Sequence, residues 1–186
     1  MDFYVTSDLH FHHNNILKYG RTFNSVKDMD EALILEINSK VKQFDVVYHL
    51  GDFIFKRTDI NAFYELFEQL NGKWIFILGN HDEILYHYKS QLLEHPRILK
   101  IEDYMTVTIN NVFYILSHFE HRTWIYKDNR RIFKKIKNQK IIASHHFFGH
   151  YHSNPERVYD KNCLDVGIDA TNLKLLTFDQ QRERMI

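Results

Sequence analysis

Trp74-Ile75-Phe76-Ile77-Leu78-Gly79-Asn80-His81-Asp82 is the stretch that decides the fold of this chain. Its five leading apolar residues follow the turn pair Asn71-Gly72 and predict a short buried strand with a polar tip. Strand tips hold reactive groups on a rigid scaffold. Gly79 permits a sharp turn and the close approach of another group. Asn80 offers an amide oxygen and His81 an imidazole, both able to face a metal.

The same pattern repeats on the N-terminal side. Residues 45–50 read as a buried strand ending at Gly51-Asp52, and residues 2–7 as a strand ending at Asp8-Leu9-His10. Between these strands lie two helices. One carries Met29, Leu33, Ile37 and Val41 on a single face, with Ser25 and Asp28 placed like a capping box. The other spans residues 59–70, with Thr58 as its cap and Ile60, Phe63, Phe67 and Leu70 facing inward. Strand, helix, strand, helix, strand is the order of a mostly parallel α/β sheet.

On the C-terminal side the texture changes. Residues 105–109 and 112–116 flank Asn110-Asn111 as a hairpin, which ends at Ser117-His118. A basic segment, 124–137, reads as a helix or long loop. Residues 141–144, 164–168 and 173–178 read as further strands. The second half therefore predicts a second sheet packed on the first. No repeat or linker interrupts residues 1–186, so one domain is expected.

Composition limits the alternatives. The chain has 186 residues, 44% of them hydrophobic and 15% aromatic, enough for a large core. Basic and acidic residues number 24 each, which argues against tight nonspecific nucleic-acid binding over the whole surface. The single cysteine, Cys163, fits a reducing compartment and reads as a packing residue. There is no signal-peptide layout and no apolar run long enough to span a bilayer, so a cytoplasmic location is expected.

Five short stretches place metal-type side chains at predicted strand ends: Asp8-Leu9-His10, Gly51-Asp52, Gly79-Asn80-His81-Asp82, Ser117-His118 and Gly149-His150-Tyr151-His152. In an extended chain, residues i and i+2 point the same way. Asp8 and His10 can then reach one site, as can His150 and His152, although a kink would split a pair between two ions. Carboxylate, imidazole and amide ligands together suit manganese, iron, zinc or nickel better than calcium.

These motifs, in this order, resemble the calcineurin-like metallophosphoesterases: D-x-H, G-D, G-N-H-D/E, a lone H, then G-H-x-H. The run Ser7-Asp8-Leu9-His10-Phe11-His12-His13-Asn14-Asn15 resembles small bacterial and phage members in particular. So do residues 47–53 and Leu164-Asp165-Val166-Gly167-Ile168-Asp169. The resemblance implies an α/β fold, a calcineurin-like two-sheet β-sandwich flanked by helices in four layers (α/β/β/α). It implies two divalent ions, manganese first among them. Asp8, His10 and His152 would hold one, Asn80, His118 and His150 the other, and Asp52 would bridge. A hydroxide held by the ions would attack phosphorus in line, and His81 would protonate the leaving group.

One departure narrows the substrate. Protein phosphatases of this superfamily carry an Asp three residues after the bridging one, to orient the catalytic histidine. That position is Phe55 here. A small phosphoester or phosphodiester, such as a nucleotide, is the expected substrate. A nuclease or signalling-nucleotide phosphodiesterase shares the chemistry. A non-catalytic scaffold of the same fold would have lost ligands that this chain retains.

Other residues take subsidiary readings. His13, Asn15 and Arg122 are candidate substrate contacts. Asp82 is expected to hold its turn through its carboxylate. His49 reads as a core histidine, and His12, His87, His95 and His121 as surface residues. His145 and His146 lack a preceding Gly and stay outside the ligand set. The basic run 129–137 reads as a solvated helix face rather than a nucleic-acid contact.

Overall fold

The computed structural model describes residues 1–120, 145–152 and 161–185. β1 (Phe3–Thr6), β2 (Val46–Leu50), β3 (Lys73–Ile77) and β4 (Ile98–Glu102) run parallel in one sheet. The second sheet holds β5 (Tyr104–Ile109), β6 (Val112–Ser117), β7 (His145–Phe148) and β8 (Cys163–Asp165), in that order. β9 (Leu176–Thr177) returns antiparallel to β1 at the edge of the first sheet, giving the order β4-β3-β2-β1-β9.

Side chains alternate between two cores, because successive residues of a strand face opposite ways. Tyr4, Val47, Trp74 and Phe76 pack under α1 (Val26–Lys40) and α2 (Ile60–Phe67), meeting Met29, Leu33, Phe63 and Phe67. Val5, Val46, Tyr48, Leu50, Ile75 and Ile77 face the other way and meet Ile109, Tyr114, Leu116 and Phe147 of the second sheet. Both faces of β2 and β3 are therefore dry, which is why they read as unbroken apolar runs. Two sheets flanked by helices is the result. Asn110 and Asn111 take φ of 49° and 62°, the left-handed pair that a two-residue hairpin turn needs.

Several local expectations shift. Ser25 does cap α1 as expected, accepting the Asp28 N–H. Asp59, not Thr58, caps α2: its Oδ1 accepts from the Asn61 and Ala62 N–H groups, and a carboxylate also suits the positive helix end. The strand expected over residues 164–168 stops at Asp165, whose Oδ1 takes the Gly167 N–H and turns the chain into a 3₁₀ turn at Ile168–Thr171. The strand expected over residues 173–178 shrinks to β9. Thr177 and Gln180 form a complete capping box there, and α5 (Phe178–Glu183) begins.

β4 and two short helices, α3 (Glu83–His87) and α4 (Lys89–Leu92), were not anticipated. His95 is not a surface residue. Its side chain is 14% exposed, lies 2.9 Å from Glu68 Oε1, and sets its ring edge-on to Phe67. The segments expected at 124–137 and 141–144, with His121 and Arg122, lie outside the described residues. Among the described residues no helix is long and apolar enough to cross a membrane.

The topology aims the motifs at one place. β1, β2 and β3 are parallel, so Asp8, Asp52 and Asn80 leave the sheet at the same edge. β6 and β7 are likewise parallel and lead, one and two residues on, to His118 and His150. A bridge between Ser7 and Gly167 ties the two sheets together beside this edge. The His150 N–H donates to the Asp8 carboxylate at 2.9 Å, which joins the ends of β7 and β1.

Candidate metal centre

The loops leave their strands with unusual backbone. Asp8, His10, Asp52, His150 and His152 all have φ between 48° and 76°. Non-glycine residues rarely take this left-handed conformation, and where it persists the surrounding structure holds it. Here the holders are visible. The Asp8 and His10 N–H groups donate to the Gly51 and Asp52 carbonyls, and the Gly149 N–H to the His118 carbonyl. Gly79 and Gly149 keep the space clear. A Cβ on the first would collide with the Asp52 carboxylate, and one on the second with Ser7 and Asp8. The motif backbone is therefore kinked rather than extended, which corrects the i, i+2 expectation. Asp8 and His10 still meet, whereas His150 and His152 part company.

Two groups form. Asp8, His10 and His152 bring one donor atom each within 4.8 Å of one another, and Asp52, His118 and His150 do the same. Asn80 Oδ1 lies 3.2 Å from His118 Nε2 and so joins the second group. Asp52 lies between them, with Oδ2 3.6 Å from His10 Nε2 and 3.4 Å from His118 Nε2. All seven residues that the sequence analysis selected as ligands are thus gathered at one edge of the sandwich.

Three of the histidines are held the same way round. His118 Nδ1 donates to the Leu50 carbonyl at 2.8 Å, and His152 Nδ1 donates to Asp169 Oδ2 at 2.7 Å. His10 Nδ1 lies 3.2 Å from His13 Nδ1. Each leaves Nε2 turned toward a carboxylate of the centre. His10 Nε2 is buried and has no hydrogen-bond partner. An orphaned buried acceptor is costly unless something else satisfies it. Outward Nδ1–H and inward Nε2 is how protein histidines are fixed for metal binding, so the donor set fits divalent ions.

Charge supports the same reading. Burial pushes the His10 imidazole down to about 2, so it stays neutral and free to ligate. Burial also disfavours a charged His118, but the Asp52 carboxylate beside it prevails and holds its proton up to about 9. Asp52 in turn is held below the usual carboxylate range: burial opposes its charge, and His118 and His10 outweigh burial. A divalent ion bound by His118 would have to displace that residue's proton. Metal affinity should therefore climb with pH, by about tenfold per unit between pH 7 and 9, and level off above about 9. Competition with a fluorescent chelator across this range measures it, and a flat profile would count against His118 as a ligand.

Residues 1–175 match the family described as calcineurin-like phosphoesterase. The chain belongs to this family. It is accordingly a metal-dependent phosphoesterase. An uncharacterised protein of Methanocaldococcus jannaschii is 31% identical over 179 residues, which are 95% of this chain and 86% of that one. A protein of unknown function from Aquifex aeolicus superposes with a TM-score of 0.76 at 24% identity, covering 100% of this chain and 99% of its own. The solved structure of a novel archaeal phosphodiesterase superposes with a TM-score of 0.50 at 22% identity, over 90% of this chain and 82% of its own. At these identities the two structures speak to the fold alone.

In this calcineurin-like phosphoesterase, the His81 N–H donates to Asp52 Oδ1 at 2.8 Å, so the residue stands at the centre. Its buried Nδ1 has no hydrogen-bond partner. Among the described residues, no carboxylate is hydrogen-bonded to the ring, in keeping with Phe55. Rings fence it instead: His10 stands edge-on at 5.3 Å and His13 tilted at 5.5 Å. His13 is itself stacked on Phe55 at 4.7 Å. Phe55 thus reaches the His81 ring only through His13. Asn15 is exposed, and among the described residues no hydrogen bond brings it to the centre. Asp82 does hold its turn, accepting from the Asp52, Phe53 and Gly79 N–H groups. His49 is buried against Phe53 and Phe76.

Two residues of the phosphoesterase centre escaped the sequence reading. Arg21 is buried and spends all five N–H groups: two on Asp169, one each on the Asp8 and Leu9 carbonyls, and one on Met29 sulfur. Asp169 passes this on by gripping His152 Nδ1. No motif announces a lone Arg after Gly20. Asp169 lay within a stretch already noted for its resemblance, but without a role. Asp169→Ala should lower affinity for the first ion by roughly 10- to 100-fold, because His152 loses the partner that aims it. Isothermal titration with Mn²⁺ reads this out, and unchanged affinity would make the contact merely structural.

Proposed function

We propose that this phosphoesterase hydrolyses a small phosphodiester or phosphomonoester, a nucleotide among the candidates, at a pair of divalent ions shared by Asp52. Manganese is the first expectation, with iron, zinc and nickel as alternatives. The observation that carries the proposal is the inward Nε2 of His10, His118 and His152 around Asp8 and Asp52, with Asp52 between the two groups. When bound, two ions would acidify a water and offset charge on the phosphoryl oxygens.

The residues supply the rest. Asp8, His10 and His152 would hold the first ion, and Asn80, His118 and His150 the second. Asn80 faces His118 with Oδ1, which leaves its amide N–H groups to donate to a phosphoryl oxygen. His81 would carry a proton on Nε2 to the departing oxygen, since its Nδ1 is buried away from solvent. The zero net charge and single cysteine suit a small cytoplasmic substrate better than a nucleic acid.

Metal-stripped protein should be inert toward bis(4-nitrophenyl) phosphate and 4-nitrophenyl phosphate. It should turn over at least one of them when Mn²⁺ is restored, with two ions bound per chain by mass spectrometry of the metal. Failure with every divalent ion, or a single bound ion, would refute the two-ion reading.

A further inference from the structure

Beside the centre lies a cavity of about 350 Å³, lined by Tyr19, Gly20, Arg21, Thr22, His152, Asp169, Asn172 and Leu173. Its relation to the centre is set by one ring. His152 turns Nε2 toward Asp8, 3.8 Å away, and Nδ1 toward Asp169. Asp169 lines the cavity. The imidazole of a proposed ligand thus borders both the cavity and the centre.

The lining excludes some occupants. Among the described residues, Arg21 is the only cationic lining side chain other than His152, and none of its N–H groups is left for a second phosphate. Both Asp169 oxygens are also taken, one by Arg21 and the other by Arg21 and His152. The floor is therefore a neutralised ion pair. The remaining side chains, Tyr19, Thr22, Asn172 and Leu173, carry no charge. Tyr19 lines the cavity and is 74% exposed, so its ring has surface free for a partner. The volume is at the small end for ligand pockets, enough for one ring system and too little for a polymer.

We propose that this cavity is a recognition subsite for an uncharged, planar, ring-bearing substituent of the phosphoester, with Tyr19 as its stacking platform. It rests on the phosphoesterase reading above and adds the class of substituent. A nucleobase and a simple aryl group share this chemistry, and two substrates separate them. Thymidine 5′-(4-nitrophenyl) phosphate and bis(4-nitrophenyl) phosphate both carry a ring beyond the leaving group. Methyl 4-nitrophenyl phosphate carries none.

The test compares KM for the three esters in the wild type, Tyr19→Ala and Tyr19→Phe, all loaded with Mn²⁺. Tyr19→Ala should raise KM for the ring-bearing esters by about tenfold, the scale of one lost base–aromatic stack, and leave the methyl ester unchanged. Tyr19→Phe should restore the wild-type values. A larger effect on the thymidine ester than on the aryl ester assigns the subsite to a nucleoside, and the reverse assigns it to an aryl group. Equal effects on all three esters, or none, would overturn the proposal. Calorimetric binding of thymidine 5′-monophosphate against methyl phosphate repeats the comparison without turnover. If no ester is hydrolysed, the phosphoesterase reading fails, while this binding ratio still decides the subsite.

Discussion

Asp52→Asn should reduce turnover of a chromogenic phosphodiester by roughly a thousandfold or more, about 4 kcal/mol of barrier. The carboxylate stands between the two groups, its Oδ2 within 3.6 Å of His10 Nε2 and 3.4 Å of His118 Nε2. A carboxylate can share its charge and two oxygens between two cations. An amide offers one weak acceptor and no charge. The fold should survive, because Oδ1 of Asn can still accept the His81 N–H and the three N–H donors to Asp82 are untouched. Circular dichroism checks folding, metal analysis the ion count, and steady-state kinetics the loss. A folded variant with two ions and near-normal kcat would remove Asp52 from its bridging place.

His81→Ala should leave both ions in place and lower kcat by about 10²- to 10⁴-fold for an ester whose leaving group is a poor one, such as an alkoxide. With a 4-nitrophenyl ester the loss should be smaller, since that leaving group departs with little help from a proton. Only the ring is removed; the backbone N–H that binds Asp52 remains. Leaving-group dependence separates a proton donor from a residue that merely binds phosphate, which would slow both esters alike. Loss of metal from this variant would show that His81 acts in ligation.

The Phe55 position shows how far local reading reaches. The sequence signals that the usual carboxylate is missing. It does not signal that His13 stacks on Phe55 and fences His81, because His13 and Phe55 are 42 positions apart and no periodicity links them. Asp59 and Thr177 make the opposite point. Both caps were available in the sequence, one residue past Thr58 in the first case and as a Thr-x-x-Gln pattern in the second. Apolar residues surround Thr177 and give the stretch the look of a continuous strand.

Local chemistry alone determined the parallel core of this protein. Apolar runs at residues 46–50 and 73–77, capped helices between them and the Asn110-Asn111 turn each follow from interactions within a few residues. The order of the five motifs likewise selected the candidate ligands that the fold brings together. Tertiary structure decided what those side chains do together. It set the left-handed backbone that parts His150 from His152, and it turned three Nε2 atoms inward. It also brought Arg21 and Asp169, 148 positions apart, into one clamp. These depend on contacts between strand ends of different sheets, and such contacts leave no regular spacing in the chain for a reader to find.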